Sequence, residues 1–351
     1  MLVSVDDLVN LVLRSALLSN EIYDDSTVDT SYPPSGFQRP PAETADSRVS
    51  YLRFFLEHAT DFAEALDALA DDRSRELMLS LILFRILGYR RAKIAVDPEP
   101  MDVARLRSDA LTAERSSLQV TEPEEGAPRI LHFEVPRRNG TVKVDCFRAN
   151  VLFTFFLRQY YFCRAGVAIG PAPGDVAIDG GACFGDTALD FAVEVGESGQ
   201  VHSFEILASH LDIVRFNLRQ NPPLSNIRVY PCGLSDRNVA GRTGYGEPNP
   251  GYSIPADGGG IGTRTLDSLV KDQSIRRVDF LKMDMEGSEM AALRGAAQTI
   301  RKFRPKLAIS IYHGWEDYFT IPRFIRDLRL GYRMYLENYT RSDGETVLYA
   351  A

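Results

Sequence analysis

The sequence has no Cys-x-x-Cys pair, no basic surplus, no apolar run long enough to span a bilayer, and no Lys-Ser or Lys-Thr after its glycine-rich loop. Each absence removes a class of function. The four cysteines (Cys146, Cys163, Cys183, Cys232) have no paired spacing, so they indicate neither zinc nor a disulfide framework and suit a reducing compartment. A formal net charge of −8 argues against a polyanion partner, and the basic clusters stop at doublets such as Arg90-Arg91 and Arg137-Arg138. No nucleic acid is therefore expected. The most apolar stretch, LMLSLILFRILGY, meets Arg85 too early to cross a membrane. At the N-terminus, Asp6 and Asp7 stand where a signal peptide needs positive charge, and Ser4 with Asp7 reads as a helix cap. That segment is an amphipathic helix in this reading; no membrane association is expected, and the location is cytoplasmic.

What is present is the composition of a globular chain: 351 residues, 44% apolar and 25% charged. The first third reads as helical and irregular, with a Pro- and Ser-rich segment at 29–47 and helical periodicity at 48–70 and 73–91. The acidic, proline-broken run at 122–128 marks a boundary, so an N-terminal helical region (1–125) precedes a second domain (126–351). Asn139-Gly140 supplies the positive φ of a tight turn, making 129–147 a β-hairpin, and an aromatic helix follows over 150–162. Strands are then expected at 176–179, 200–205, 227–232, 278–284 and 306–313, with helices at 185–195, 208–220, 288–303 and 320–330. This alternation argues for a mostly parallel, doubly wound α/β sheet, and a last pair at 333–338 and 346–350 for an antiparallel edge.

In such a sheet the ligand lies beyond the carboxyl ends of the strands. The loop Asp179-Gly180-Gly181-Ala182-Cys183-Phe184-Gly185 has the glycines needed to pass close to a nucleotide. Asp186-Thr187 follows it where a phosphate-binding loop needs Lys-Ser or Lys-Thr, which disfavours ATP and GTP. Ala182 breaks the dinucleotide glycine pattern, and Asp179 and Asp186 put two carboxylates where a pyrophosphate would sit. A negative loop favours a cation, and S-adenosylmethionine carries an ammonium and a sulfonium. Glu205, after Phe204 at the end of the second strand, is placed to take both ribose hydroxyls.

The segments DGGACFGDT, SFE, NIRVYPCGLSD, VDFLKMDMEGSEMAALRGA and ISIYHG together resemble the FkbM family of S-adenosylmethionine-dependent methyltransferases, over about residues 150–340. The most specific piece is Lys282-Met283-Asp284-Met285-Glu286-Gly287-Ser288-Glu289, similar to the family's K-x-D-x-E-G-x-E pattern. The resemblance implies a class I methyltransferase: a Rossmann-like, mostly parallel seven-stranded sheet with an antiparallel C-terminal edge pair, here with an N-terminal helical region. It implies cofactor contacts at Asp179, Gly181, Gly185 and Glu205, extended by their neighbours Gly180, Ala182, Cys183, Asp186, Thr187 and Phe204. Gly233, Leu234 and Ser235 would lie along the adenine. Ile206 stands where such proteins often place proline after the ribose acid.

Methyl transfer to an alcohol needs alignment and a base for the departing proton. Asp284, Glu286 and His313 fall at the ends of the fourth and fifth strands, and His313, the only one that titrates near neutrality unperturbed, is the first choice; the alternative is a histidine that caps the strand. Asp284 and Glu286 alternate along an extended segment and share a face, where they could hold a divalent cation or the cofactor's ammonium and a substrate hydroxyl. No metal is predicted. The expected activity is O-methylation of a small-molecule acceptor such as a sugar, polyketide or other specialised metabolite, with N-methylation open. The N-terminal helices read as an arm for a homodimer or as a lid over the acceptor. The rivals are a nicotinamide-dependent oxidoreductase and a non-catalytic S-adenosylmethionine-binding scaffold. Cys183 reads as a packing residue, His58, His132 and His210 as solvated or locally bonded, the aromatic stripe Phe153, Phe155, Phe156, Tyr160, Tyr161 and Phe162 as core or in part acceptor-pocket lining, and 244–262 as a glycine-rich lid or a plain loop.

Overall fold

Apolar runs bounded by glycine and acidic residues become parallel strands where the sequence places them. The computed structural model describes residues 4–18, 45–118, 129–138, 140–241 and 262–351. Asn139, most of 29–47, the run at 122–128 and nearly all of 244–262 lie outside the described residues. Two compact units divide the chain, Met1–Met101 with Ile311–Ala350, and Asp102–Ser310 with Ala351. The expected boundary after residue 125 thus lies inside the second unit.

The second unit opens with an antiparallel sheet of β1 (Ala113–Arg115), β2 (Leu131–Arg137) and β3 (Gly140–Cys146), then a small hairpin of β4 (Phe162–Arg164) and β5 (Val167–Ile169). Next come β6 (Val176–Gly180), β7 (Gln200–Phe204) and β8 (Ile227–Tyr230), and a short parallel pair, β9 (Gly233–Leu234) with β10 (Thr263–Arg264). β11 (Phe280–Met283) and β12 (Lys306–Ser310) complete it. The parallel strands run in the order β12-β11-β6-β7-β8. From β6 the chain steps outward to β8 and then crosses back to β11, which makes the β6–β11 junction the switch point. Ile178, Val201, Phe280, Leu281, Leu307 and Ile309 are fully buried, the continuous apolar reading of strands covered on both faces. Along β3, Asn217 of the Ala208–Gln220 helix and Asn221, which caps its C-terminus, accept from the backbone N–H of Asp145 and Lys143 and donate to their carbonyls, acting as a neighbouring strand would.

Three expected helices differ. The one at 288–303 is two, Glu289–Gly295 and Ala297–Phe303, because Gly295 presses on the Ser235 carbonyl: a Cβ there would stand 1.9 Å from the oxygen. The aromatic segment is helical only as far as Leu157, an α-helical turn at Arg148–Asn150 running into a π-helix over Val151–Leu157, and ends at Arg158 in the left-handed region (φ 57°). The periodicity of 48–70 is broken at His58 into Ala45–Glu57 and Ala59–Ala68. A helix at Pro98–Asp109 was not expected, although Asp97 bonding to the Glu99 N–H, with proline in the first turn, is its sequence signal.

In the first unit, β13 (Met334–Asn338) and β14 (Thr346–Ala350) form the expected antiparallel pair, bringing the strands to the seven expected. The Asp72–Leu87 helix packs on β13, with Ser74 Oγ accepting from the Leu336 N–H at 2.9 Å. Its Arg85 is half-buried, donating to Asp343 and to the Tyr312 carbonyl at 2.7 Å each. Phe54 stacks on Trp315, and Phe62 meets Trp315 at a tilt and Phe319 edge to face. No helix among the described residues is long and apolar enough to cross a membrane.

Candidate functional site

A half-open cavity lies at the carboxyl ends of β6, β7 and β11, within the second unit. Of the expected site residues, Gly181, Cys183, Phe204, Glu205, Gly233, Leu234, Asp284 and Glu286 line it.

The loop after β6 turns through Gly181 (φ 79°), Cys183 (φ 48°) and Gly185 (φ 81°). Glycine is required at 181 because a Cβ there would stand 1.8 Å from the Asp284 carbonyl oxygen. The Gly181 and Ala182 N–H groups both donate to the Phe204 carbonyl, at 3.1 and 3.0 Å, and the Gly185 N–H donates to Ala182. These three loop amides are therefore bonded within the fold and not offered to a phosphate.

Asp179 and Asp186 do not line the cavity, which corrects the electrostatic reason expected of them. Asp179 is fully buried and accepts from Thr187 Oγ1 (2.9 Å), Ser203 Oγ (3.2 Å) and Lys282 Nζ (3.1 Å). Asp186 accepts from Thr154 Oγ1 (2.5 Å) and Asn150 Nδ2 (3.3 Å). Burial lifts the Asp186 carboxyl to about 6, against the pull of Thr154 and Lys282. Thr187 likewise points inward at Asp179. Gly180, Ala182, Gly185 and Ser235 support the loops from outside the lining, Ser235 by donating its N–H to the Arg264 carbonyl.

Sequence reading gave Lys282 no role, yet it ties the site together. β11 pairs it directly with Asp179 on β6, and its ammonium also donates to the Gly180 and Gly181 carbonyls at 3.1 and 2.7 Å. Burial alone would lower its pKa; the carboxylates of Asp179, Asp284 and Asp186 outweigh that and raise it. A lone lysine inside the apolar run Phe280–Met283 was the available signal. Tyr160 was also missed: its hydroxyl donates to Asp284 Oδ2 at 2.6 Å, and its ring lies 5.0 Å from the Lys282 ammonium.

Glu205 Oε1 accepts from the Ile206 and Leu207 N–H groups at 2.7 and 2.8 Å, which fixes the carboxylate against the cavity. Its Oε2 lies 3.4 Å from Nδ1 of His210. His210, expected to be solvated or locally bonded, is a buried residue on the cavity wall; Leu207, buried, and Ile206 and Met285, half-buried, line it too.

The extended stretch expected to put Asp284 and Glu286 on one face is absent. β11 ends at Met283, and Glu286 (φ 53°) and Gly287 (φ 89°) form a left-handed turn, as the Glu-Gly pair allows. The acid bonded to the backbone here is Glu289, which accepts from the Met285 N–H. Cys183 is a packing residue: burial pushes its thiol well up, and Asp186 and Glu205 push it further. His313 belongs to the first unit, three residues beyond β12, with its ring 4.2 Å from that of Tyr312.

The charged side chains on the described cavity wall are Glu205, Asp284 and Glu286, with no lysine or arginine among them. The cation-favouring character expected of Asp179 and Asp186 thus rests on other carboxylates. Phe204, Leu207, Leu234 and Met285 add apolar surface for a flat base. These residues fit an adenosine bearing a cationic tail and do not fit a pyrophosphate.

Residues 179–334 match the model of the methyltransferase FkbM domain. A solved structure of methyltransferase FkbM from Methylobacillus flagellatus KT is similar at 21% identity and a TM-score of 0.55, over 87% of this chain and 62% of that one. The chain therefore spans less than two thirds of that structure's length. Aeropyrum pernix fibrillarin, solved with natively bound S-adenosyl-L-methionine, aligns at 14% identity and a TM-score of 0.36 over 68% of this chain and 98% of its own. Precorrin-6y C5,15-methyltransferase from Geobacter metallireducens GS-15 aligns at 11% and 0.32, over 51% and 79%. No curated protein matches the chain. Residues 179–334 are thus similar to the methyltransferase FkbM domain, and the fold is that of a class I methyltransferase.

Proposed function

We propose that the protein is an S-adenosylmethionine-dependent O-methyltransferase acting on a hydroxyl of a small-molecule acceptor, a sugar, polyketide or other specialised metabolite, in the cytoplasm. The observation that carries the reading is the cavity wall: three carboxylates, no described basic side chain, and loop amides already bonded to the Phe204 carbonyl. When bound, S-adenosylmethionine supplies an activated methyl group on a sulfonium. Glu205 would hold the ribose, Phe204, Leu207 and Leu234 the base, and Asp284, oriented by the Tyr160 hydroxyl, the ammonium or an acceptor hydroxyl. His313 is the proposed base, on the strength of its place in the chain after β12. No step is routed through a metal ion. A homodimer through the N-terminal helices belongs to the same proposal.

The test is transfer of labelled methyl from S-adenosylmethionine to a panel of alcohols by the wild type and His313→Gln. The expected result is a product with an O-methyl group and a fall in kcat of about 10²–10⁴ in the variant, with S-adenosylhomocysteine affinity within about twofold. Equal rates in the two proteins would remove His313 from the chemistry. No transfer to any member of the panel would contradict the O-methyl assignment.

A further inference from the structure

We propose that Tyr160 is a positioning residue for methyl transfer, fixing the Asp284 carboxylate to orient the acceptor hydroxyl and not the cofactor's ammonium; this rests on the O-methyltransferase reading above. Asp284 follows β11, and its backbone N–H donates to the Gly180 carbonyl at 3.0 Å. That bond holds the main chain but leaves the side-chain torsions to be set. Tyr160 sets them. Its hydroxyl donates to Asp284 Oδ2 at 2.6 Å, a short, charge-assisted hydrogen bond. The ring has little freedom of its own. It is 5% exposed, meets Phe191 edge to face at 6.3 Å, and has the Lys282 ammonium 5.0 Å from its centroid. A carboxylate accepts up to about four hydrogen bonds, so with one from Tyr160 it still accepts from a hydroxyl in the cavity it lines.

Charge decides which ligand group Asp284 takes. The Lys282 ammonium donates to Asp179 Oδ1 and to the carbonyls of Gly180 and Gly181, which occupies its N–H groups. Its charge still acts on Asp284, one of the carboxylates that raise the lysine's pKa. A second ammonium at Asp284 would stand near the first and be repelled, whereas a neutral hydroxyl would not. Asp284 therefore accepts a hydrogen bond from the acceptor, whose proton leaves to the base proposed above. Tyr161, the next residue, is the contrast. Its hydroxyl donates at 2.7 Å to Asp190, which is fully buried and outside the cavity wall. One tyrosine of the pair serves the site; the other serves the interior.

The experiment measures labelled methyl transfer to the alcohol panel, calorimetric titration with S-adenosylhomocysteine, and urea unfolding. The proteins are wild type, Tyr160→Phe, Tyr161→Phe, Asp284→Ala and Tyr160→Phe/Asp284→Ala. Tyr160→Phe keeps the ring and removes one hydroxyl, so it folds as wild type does. Its kcat/KM for the acceptor is expected to fall about 10–100-fold, with S-adenosylhomocysteine affinity within about threefold. Asp284→Ala loses at least as much activity and also keeps S-adenosylhomocysteine affinity within about threefold. The double variant falls no more than about threefold below Asp284→Ala, because the tyrosine acts through the carboxylate. Tyr161→Phe lowers the urea midpoint and keeps kcat/KM within about twofold of wild type. The proposal is overturned if Tyr160→Phe transfers methyl within about twofold of wild type, or if the two single losses multiply in the double variant. It is equally overturned if Tyr161→Phe loses as much activity as Tyr160→Phe, or if either Tyr160→Phe or Asp284→Ala weakens S-adenosylhomocysteine binding about tenfold or more, which would give Asp284 to the ammonium. If wild type methylates no alcohol, the O-methyltransferase reading fails and takes this inference with it. Wild-type transfer without the Tyr160 effect overturns the inference alone.

Discussion

Replacing Lys282 with methionine is expected to destabilise the protein by about 3–5 kcal/mol, read as the shift in urea unfolding. Methionine keeps much of the volume and the apolar stem, so the loss is that of the ammonium. Three acceptors depend on it: Asp179 Oδ1 and the carbonyls of Gly180 and Gly181. Asp179 is fully buried, and without Lys282 its charge is left in the sheet interior with only the Thr187 and Ser203 hydroxyls. Removing both charges should cost much less than removing one. Lys282→Met with Asp179→Asn is accordingly expected to recover at least half of the loss, since a buried pair replaced together is often close to neutral. A single variant within about 1 kcal/mol of wild type would contradict the role given to Lys282.

Gly181→Ala should abolish ligand binding at the cavity. Two effects combine there: a φ of 79°, and a Cβ 1.8 Å from the Asp284 carbonyl oxygen. The conformational part alone costs about 1–2 kcal/mol for alanine. The contact cannot be relieved by a rotamer, because the opposing atom is backbone; either the loop or the exit of β11 must move, and both line the cavity. Gly196→Ala separates the two effects, since Gly196 has φ 66° with nothing within 4 Å of its added Cβ. Gly196→Ala is expected to cost about 1–2 kcal/mol and leave S-adenosylhomocysteine affinity unchanged. Gly181→Ala should weaken that affinity at least about 100-fold. Equal behaviour of the two variants would mean that the close approach at Gly181 does not shape the site.

Much of the fold was legible because parallel strands buried on both faces read as unbroken apolar runs, and Ile178, Val201, Leu281 and Ile309 each fall inside one. The glycine loop and Glu205 were legible for the same local reason, residue types at fixed spacing. What could not be read was direction and partnership. Asp179 looks like a loop carboxylate until Lys282, 103 residues away, is found beside it. Glu286 alternates with Asp284 in sequence, but Gly287 lets the backbone turn left-handed and the alternation is lost. His210 reads as one polar residue among several on a helix; only the fold brings it to Glu205. The union of residues 1–101 with 311–350 rests on contacts such as Ser74 with Leu336, 262 residues apart, which no local pattern records.

The central claim is that this cavity binds an adenosine with a cationic tail and refuses a pyrophosphate. The most direct measurement is calorimetric titration of the full chain with S-adenosylhomocysteine and, separately, NADH, repeated with Glu205→Gln, which changes Oε2 while keeping an oxygen for the Ile206 and Leu207 N–H groups. The account predicts micromolar binding of S-adenosylhomocysteine, no measurable binding of NADH, and a loss of about tenfold or more in the variant. NADH binding in preference to S-adenosylhomocysteine would contradict it.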